Sequence, residues 1–465
     1  MTGANSAVPS QGGSRLEGVV ASVSAETAIL AFPATLARAA NLTIGTLIAI
    51  EGITPIIASV AAMETPAGLT EPGQVEIVFA EVRLLGSLEA GIPMARVTCP
   101  SVGASARLLD EREAIEAREA ALKEPLNLAA GERPLSLELQ HLMRDGLVIA
   151  GQPLQTAPLF ALIIRKLLLG SFPARLIVLD PDDLFTDSFG GAASVVDLSL
   201  GLAPIGLLNA DEIAAVLGAV QEPLSEDERR LLRMAVRGQG GQLRSLIAEL
   251  DRIGSASQDD TKPASSLSAR LRRAREDDRL ALFLSEEADA LDADMVVQNL
   301  FRLPDGRPPM TVCQLGNLVP ELHRPAAKII QRFAKTLAKT SGGRIPVLFA
   351  AHQVDRLMGE APEPSAHFAS LTTARTFASG QSGIATHGAK AEGAGTEAIE
   401  LALRSLRAGE ALLLDPMLPW PQAFTPQALP EGAQPGGSRQ TGSEGEGDAR
   451  ALLAKVASAF AGGRG

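Results

Sequence analysis

The sequence predicts an α/β fold, with a helical insertion in its sheet domain and a small β-barrel in front of it. Three observations predict it. Short β-branched runs separated by Gly and Pro fill residues 16–100, the pattern of a small barrel or sandwich. Between Leu147 and Asp183 a strand, a loop, a helix and a second strand follow in succession; this is a βαβ unit and requires a parallel sheet. Residues 210–300 are then mostly helical before strand-like runs resume.

Taken in order, residues 1–14 are small and polar and are expected to form a disordered tail. They lack the basic start and apolar core of a signal peptide. The barrel is assigned to 15–105, on VVASVS (19–24), TAILAF (27–32), TLIAIEG (46–52), IIASVAAM (56–63), VEIVFAEVRLLGSL (75–88) and MARVTCP (94–100). A helical connector spans 106–135, because LLDEREAIEAREAALKE (108–124) is rich in helix formers and Pro125 stops it. The α/β domain covers 136–426. Its strands are LVIAG (147–151), RLIVLDPDD (175–183), MTVCQLG (310–316), IPVLFAAH (345–352), SGIATHG (382–388) and ALLLDP (411–416). Its helices include an apolar one from Leu159 to Leu169 and an amphipathic one from Pro325 to Lys339. The insertion, about 210–300, is broken by the polar run SASQDDTKPASS (255–266). Residues 427–448 read as a flexible linker. A short Ala/Leu helix and tail, 449–465, follow as a tethered contact.

Composition narrows the function. The chain has 465 residues, 46% hydrophobic and 21% charged, enough for two or three domains with a sizeable core. Its net charge of −12, from 42 Lys and Arg against 54 Asp and Glu, argues against an autonomous DNA binder, whose affinity comes from neutralising phosphates. A ring with a basic inner lining stays compatible with that total. Cys99 and Cys313 stand in no CxxC or CxxH spacing, so neither a disulfide framework nor a zinc site is expected. No apolar run reaches the roughly 20 residues of a membrane helix. A soluble, cytoplasmic protein without membrane contact is the expectation. Aromatic residues make up 3% and Tyr is absent, which disfavours base-stacking platforms. No GxSxG elbow or Cys–His nucleophile pair is present.

Four stretches, GVVASVS through GTLIAIEG, LVIAG to RLIVLDPDDLF, IGLLNADEI (205–213) and LRAGEALLLDPMLPWPQAFTP (406–426), occur in an order that resembles the HerA-type hexameric DNA-translocating ATPases. The resemblance covers roughly residues 15–425. It implies a RecA-like P-loop NTPase fold behind a β-barrel, a ring-forming oligomer, ATP with magnesium, and duplex DNA.

The chemistry departs from that pattern. A working phosphate loop reads GxxxxGK[ST], with glycines exposing backbone N–H groups, Lys neutralising phosphate charge and Ser/Thr ligating magnesium. Here Gly151 is followed by Gln152, Pro153, Leu154, Gln155, Thr156, Ala157 and Pro158. Thr156 replaces the second glycine, Ala157 the lysine and Pro158 the hydroxyl. The two prolines remove two N–H donors. Thr156 is expected as helix N-cap, with proline tolerated in the first turn. Where the family's second motif ends in acidic residues, this chain has His352 and Gln353; Asp355 follows, and a shift of register would restore it. Gln314 replaces an Asp on another strand, and His387 replaces a polar sensor Gln. His352 and His387 lack the neighbours of a metal site.

Two charged clusters complete the reading. Asp182 and Asp183 are read as a solvated turn, and Asp180 as a remnant functional position or a turn cap. The run Arg270 to Arg275 is read as paired along its own helix with Glu276, Asp277 and Asp278, ahead of nucleic-acid contact. The remnant nucleotide-site positions are therefore Gly151, Gln155, Thr156, Ala157, Pro158, Asp180 and Asp355, with no catalytic or metal-binding residue and no cofactor expected. The function expected is that of a HerA-like pseudo-ATPase, a non-catalytic ring or assembly subunit, with an active ATPase paralogue or a nuclease as partner. The alternative is a divergent ATP-dependent DNA translocase that binds ATP and magnesium in a non-standard way. The conformation of 151–158 separates the two.

Overall fold

In the computed structural model, residues 17–462 are described except 25–26, 40–41, 44–45, 54, 65–75, 88–98, 110–112, 114–115, 117–118, 120–121, 130–134, 171–173, 202, 239–241, 286–287, 289–290, 304–307, 379–382, 387–388, 393–395, 415–421 and 430–445. The expected tail at 1–14, the start of the MARVTCP run, most of the 108–124 helix, His387 and most of the 427–448 linker lie outside the described residues. The chain forms two compact units, Met1–Glu138 with Leu414–Phe424, and Leu139–Leu413 with Thr425–Gly465.

The first unit holds a closed antiparallel barrel. Its strands are β1 (Glu17–Val23), β2 (Thr27–Pro33), β3 (Leu47–Ile50), β4 (Ile56–Glu64), β5 (Ile77–Ser87) and β6 (Ser105–Leu108). They are ordered β1-β2-β5-β4-β3-β6, and β6 pairs back to β1. Period-2 alternation builds it: Ala28, Leu30 and Phe32 on β2 and Val78, Ala80 and Val82 on β5 point inward and are buried. Gly18 faces the Phe32 ring so closely that an added Cβ would lie 2.3 Å from it. Shifts of register on β1 and β4 bend the strands, as barrel closure requires. The sixth strand is Ser105–Leu108. Beyond it, β7 (Pro125–Ala129) and β8 (Leu135–Glu138) pair antiparallel.

The second unit is a RecA-like α/β domain. Its parallel strands are β9 (Leu147–Ala150), β10 (Arg175–Asp180), β11 (Ala193–Asp197), β12 (Met310–Gln314), β13 (Val347–Ala351), β14 (Phe368–Ala374) and β16 (Gly383–Thr386), and β18 (Ala411–Leu414) lies beyond β16. The order is β11-β12-β10-β13-β14-β9-β16-β18. Two short strands, β15 (Thr376–Ala378) and β17 (Lys390–Glu392), pair separately. Helices Pro153–Leu169 and Pro320–Thr340 pack on β9 and β14 and on β13 and β14, respectively. Strands β10, β13 and β14 are buried almost throughout, as expected of a sheet covered by helices.

The insertion between β11 and β12 is a set of helices whose Leu, Ile, Val and Phe side chains share one core with β10, β12 and β13. The first, Ala210–Val220, opens with a capping box between Asn209 and Glu212. The expected break at 255–266 is confined to Ser257: Ser255 and Ala256 end helix Leu243–Ala256, and the rest of the run belongs to helix Gln258–Arg275. Asp259 and Asp260 suit a helix N-terminus. Thr261 Oγ1 donates to the carbonyls of Gly254 and Ser257, tying the helix to its predecessor. Polar residues at a helix start were thus read as a loop.

Two arginines of the run, Arg270 and Arg272, pair with neighbouring helices rather than with the acids expected. Arg270 is buried against Glu228 (3.3 Å), Arg272 pairs with Asp251 (2.9 Å), and Asp277 pairs with Arg279. The C-terminal helix, Glu446–Gly462, is also not merely tethered. Leu452, Leu453 and Val456 are buried in the core of this unit, against helices Ala293–Phe301 and Pro320–Thr340. Among the described residues no helix is long and apolar enough to cross a membrane.

Candidate nucleotide site

The residues that would cradle a phosphate follow β9. Gly151 donates its N–H to Ala374 O (2.8 Å) on β14 and adopts φ +155°. Helix Pro153–Leu169 starts two residues after the strand, with Gln152 as N-cap and Pro153 as the first helical residue, a position proline favours. The carbonyl of Gln152 accepts from the amides of Gln155 (2.9 Å) and Thr156 (3.0 Å). Those amides are therefore committed to the helix and cannot wrap an anion. Thr156 is not the N-cap. It is buried in the first turn, and its hydroxyl donates to Pro153 O (3.2 Å). Pro158 lies inside the helix, past the first turn. It leaves the carbonyl of Leu154 without its helical donor, on a residue 82% exposed.

A cavity of about 460 Å³ lies beside this helix start, and Gln155 and Pro158 contribute to its wall. Leu159, Leu162, Leu406 and Ala408 make it apolar, and Glu410 is its one charged residue. Among the described residues no lysine or arginine lines it. Phosphoryl transfer needs positive charge over the transferring group, and here the charged group is negative.

The strand ends that would supply acidic residues are closed by contacts within the protein. His352 follows β13 and is fully buried between Phe160 and Phe185, with ring centroids 5.9 and 5.3 Å away. Burial pushes its imidazole pKa down to about 4. Its Nδ1 is 2.8 Å from Thr373 Oγ1, and Nε2 has no partner. Gln353 adopts the left-handed conformation (φ 55°), held by its N–H on Thr373 Oγ1 (2.8 Å). Its side-chain amide donates to Asp182, and Arg356 Nη1 donates to the same carboxylate at 2.7 Å. Burial works against the Asp182 carboxylate, but Arg356 and Gln353 outweigh it and hold its pKa below the ordinary value.

The two aspartates expected as a solvated turn are thus structural ties. Asp182 joins the β10 turn to the segment after β13, and Asp183 accepts from Gly316 N (3.2 Å) after β12. Asp180 has both carboxylate oxygens occupied by the amides of Leu184 (3.0 Å) and Phe185 (2.7 Å). It caps the turn. Burial raises its pKa, against those hydrogen bonds. At the end of β12, Gln314 donates to Thr186 Oγ1 (2.5 Å), and Asn317 donates to Asp197 (2.8 Å).

The candidate residues do not converge. Gly151, Gln155, Thr156, Ala157 and Pro158 form one strand-to-helix junction. Asp180 ends β10, three strand spacings from β9, roughly 14 Å. Asp355 lies on the short helix Val354–Leu357, 4.0 Å from Arg375, and lines a different cavity. Sequence reasoning passed over two threonines. Thr373 holds His352 and Gln353, and Thr386 packs on Gly151. For Thr373 the available signal was Thr-Thr in LTTAR (371–375).

No protein-family model matches the sequence, and no curated protein matches it. Among solved structures, the chain is similar to VirB4 of Thermoanaerobacter pseudethanolicus, with a TM-score of 0.44 and 11% identity over 66% of this chain and 98% of that one. It is also similar to the bacterial conjugative coupling protein TrwBdeltaN70, with a TM-score of 0.38 and 11% identity over 63% of this chain and 78% of that one.

Proposed function

We propose that this protein is a non-catalytic subunit of HerA type, which contributes its barrel and sheet domain to an oligomeric assembly and does not hydrolyse ATP. The observation that carries the reading is the start of helix Pro153–Leu169 two residues after β9. The segment that would be an anion-binding loop is helix, the amides of Gln155 and Thr156 are taken, and no cation among the described residues faces the adjacent cavity. The loss extends to His352, whose Nδ1 is engaged with Thr373, and to Gln353, which is engaged with Thr373 and Asp182. A ring assembled with an active ATPase paralogue or a nuclease, in the cytoplasm, belongs to the same reading and rests on the sequence resemblance. Calorimetric titration of the full chain with ATP, with and without magnesium, tests it. The expected result is no saturable heat; saturable micromolar binding overturns the reading in favour of a divergent translocase.

A further inference from the structure

A cavity of about 910 Å³ lies apart from the 151–158 junction, along the exposed side of helix Pro320–Thr340. Lys328, Gln331 and Lys335 line it from that helix at spacings that place them on one face. Asp355, Glu360 and Glu363 line it from the segment after β13. Although they share a cavity, the two lysines form no ion pair with these carboxylates; Lys335 Nζ sits over the Phe368 ring at 5.2 Å, and Asp355 reaches only Arg375, at 4.0 Å. The space is thus lined by lysines from one element and carboxylates from another that form no direct ion pair with each other. Val148, Met358 and Ala374 add an apolar surface.

We propose that this groove is a docking site for an extended peptide segment of a partner protein in which acidic and basic side chains alternate. In an extended chain successive side chains point to opposite sides. Alternation therefore presents every carboxylate to Lys328 and Lys335 and every ammonium to Glu360 and Glu363. A nucleic-acid strand offers anions on all sides and meets the three carboxylates unfavourably. Charge complementarity of this kind selects the partner and its register. The proposal is independent of the state of the nucleotide positions.

Fluorescence anisotropy on the full chain with two labelled octapeptides of equal composition tests it. One alternates Glu and Lys; the other has all Glu residues first and all Lys residues after them. The alternating peptide is expected to bind saturably, at least about tenfold more tightly than the block peptide, and to weaken with added salt. Lys328→Glu with Lys335→Glu, and separately Glu360→Lys with Glu363→Lys, should each weaken binding about tenfold. The fourfold variant reverses these four charges and should restore it. Equal binding of the two peptides, no saturable binding, or no rescue in the exchanged groove overturns the proposal. ATP titration leaves this result untouched, so the two readings fail separately.

Discussion

Thr386 on β16 stands so close to Gly151 that a Cβ at residue 151 would fall 1.9 Å from its hydroxyl oxygen. The glycine that survives from the phosphate-loop pattern is therefore required for packing between adjacent strands. Its φ of +155° adds a backbone conformation that other residues rarely adopt. Gly151→Ala should destabilise the domain by roughly 2–4 kcal/mol, from overpacking and backbone strain together. Adding Thr386→Ala removes the closest contact and leaves those with Thr156 Cγ2 (3.1 Å) and the residue 386 Cβ (3.2 Å) and the strain, so it should recover only part of the loss. Urea denaturation of the three proteins measures both; a neutral Gly151→Ala would contradict the packing.

His352 makes stability depend on pH. Burial among Phe160 and Phe185 lowers its pKa to about 4, below the unfolded value of about 6.5. The unfolded chain therefore binds a proton that the folded chain refuses. Stability is full above about pH 6.5 and falls as the pH drops to about 4, by roughly 3 kcal/mol in all. Asp180 acts in the opposite sense from the ordinary carboxyl value of 3.8 upward, because burial raises its folded pKa above that value. His352→Phe removes the titrating group, and urea midpoints from pH 7 to pH 4.5 should then be flatter than those of the wild type. Equal slopes would rule out His352 as the source.

The fold was legible where periodicity is strong. Alternation in TAILAF and the apolar run RLIVLD became β2 and β10 with little change of boundary. β14 was not legible. Its residues FASLTTA are buried on both faces, yet only Phe368 and Leu371 are large and apolar, so the run resembles a loop until the strands beside it are known. The helix start at Pro153 was missed for a related reason. The motif comparison imposed a loop through residue 158, whereas proline at the first helical position already marked the start. The tie between Asp182 and Arg356 spans 174 positions, and no local pattern announces a contact of that separation.

Arg270 and Glu228 test the other half of the domain. Their side chains are 11% and 7% exposed, and the pair joins helices Gln258–Arg275 and Glu226–Gly238. Removing one partner strands a buried charge. Arg270→Met should therefore cost about 3–5 kcal/mol, and Arg270→Met with Glu228→Gln clearly less. Arg272→Ala removes a pair whose side chains are half exposed and should cost no more than about 1 kcal/mol. If thermal or urea denaturation gives both arginine variants the same cost, the run is a solvated surface and not an interhelical tie.

Restoring side chains alone should not restore nucleotide binding. Ala157→Lys with Pro158→Thr reinstates the lysine and the hydroxyl that the phosphate-loop pattern requires. The amides of Gln155 and Thr156 remain bonded to Gln152 O, and Pro153 still begins the helix. A lysine at 157 gains charge but no cradle, and Glu410 faces the adjacent cavity. The double variant should therefore show no saturable heat with ATP and magnesium under conditions where the wild type shows none. Replacing residues 151–158 as a whole with a glycine-bearing loop is the change that supplies free amides. Binding by the double variant alone would mean that the first helical turn can open, and the reading of 153–158 as a closed structural junction would fall with it.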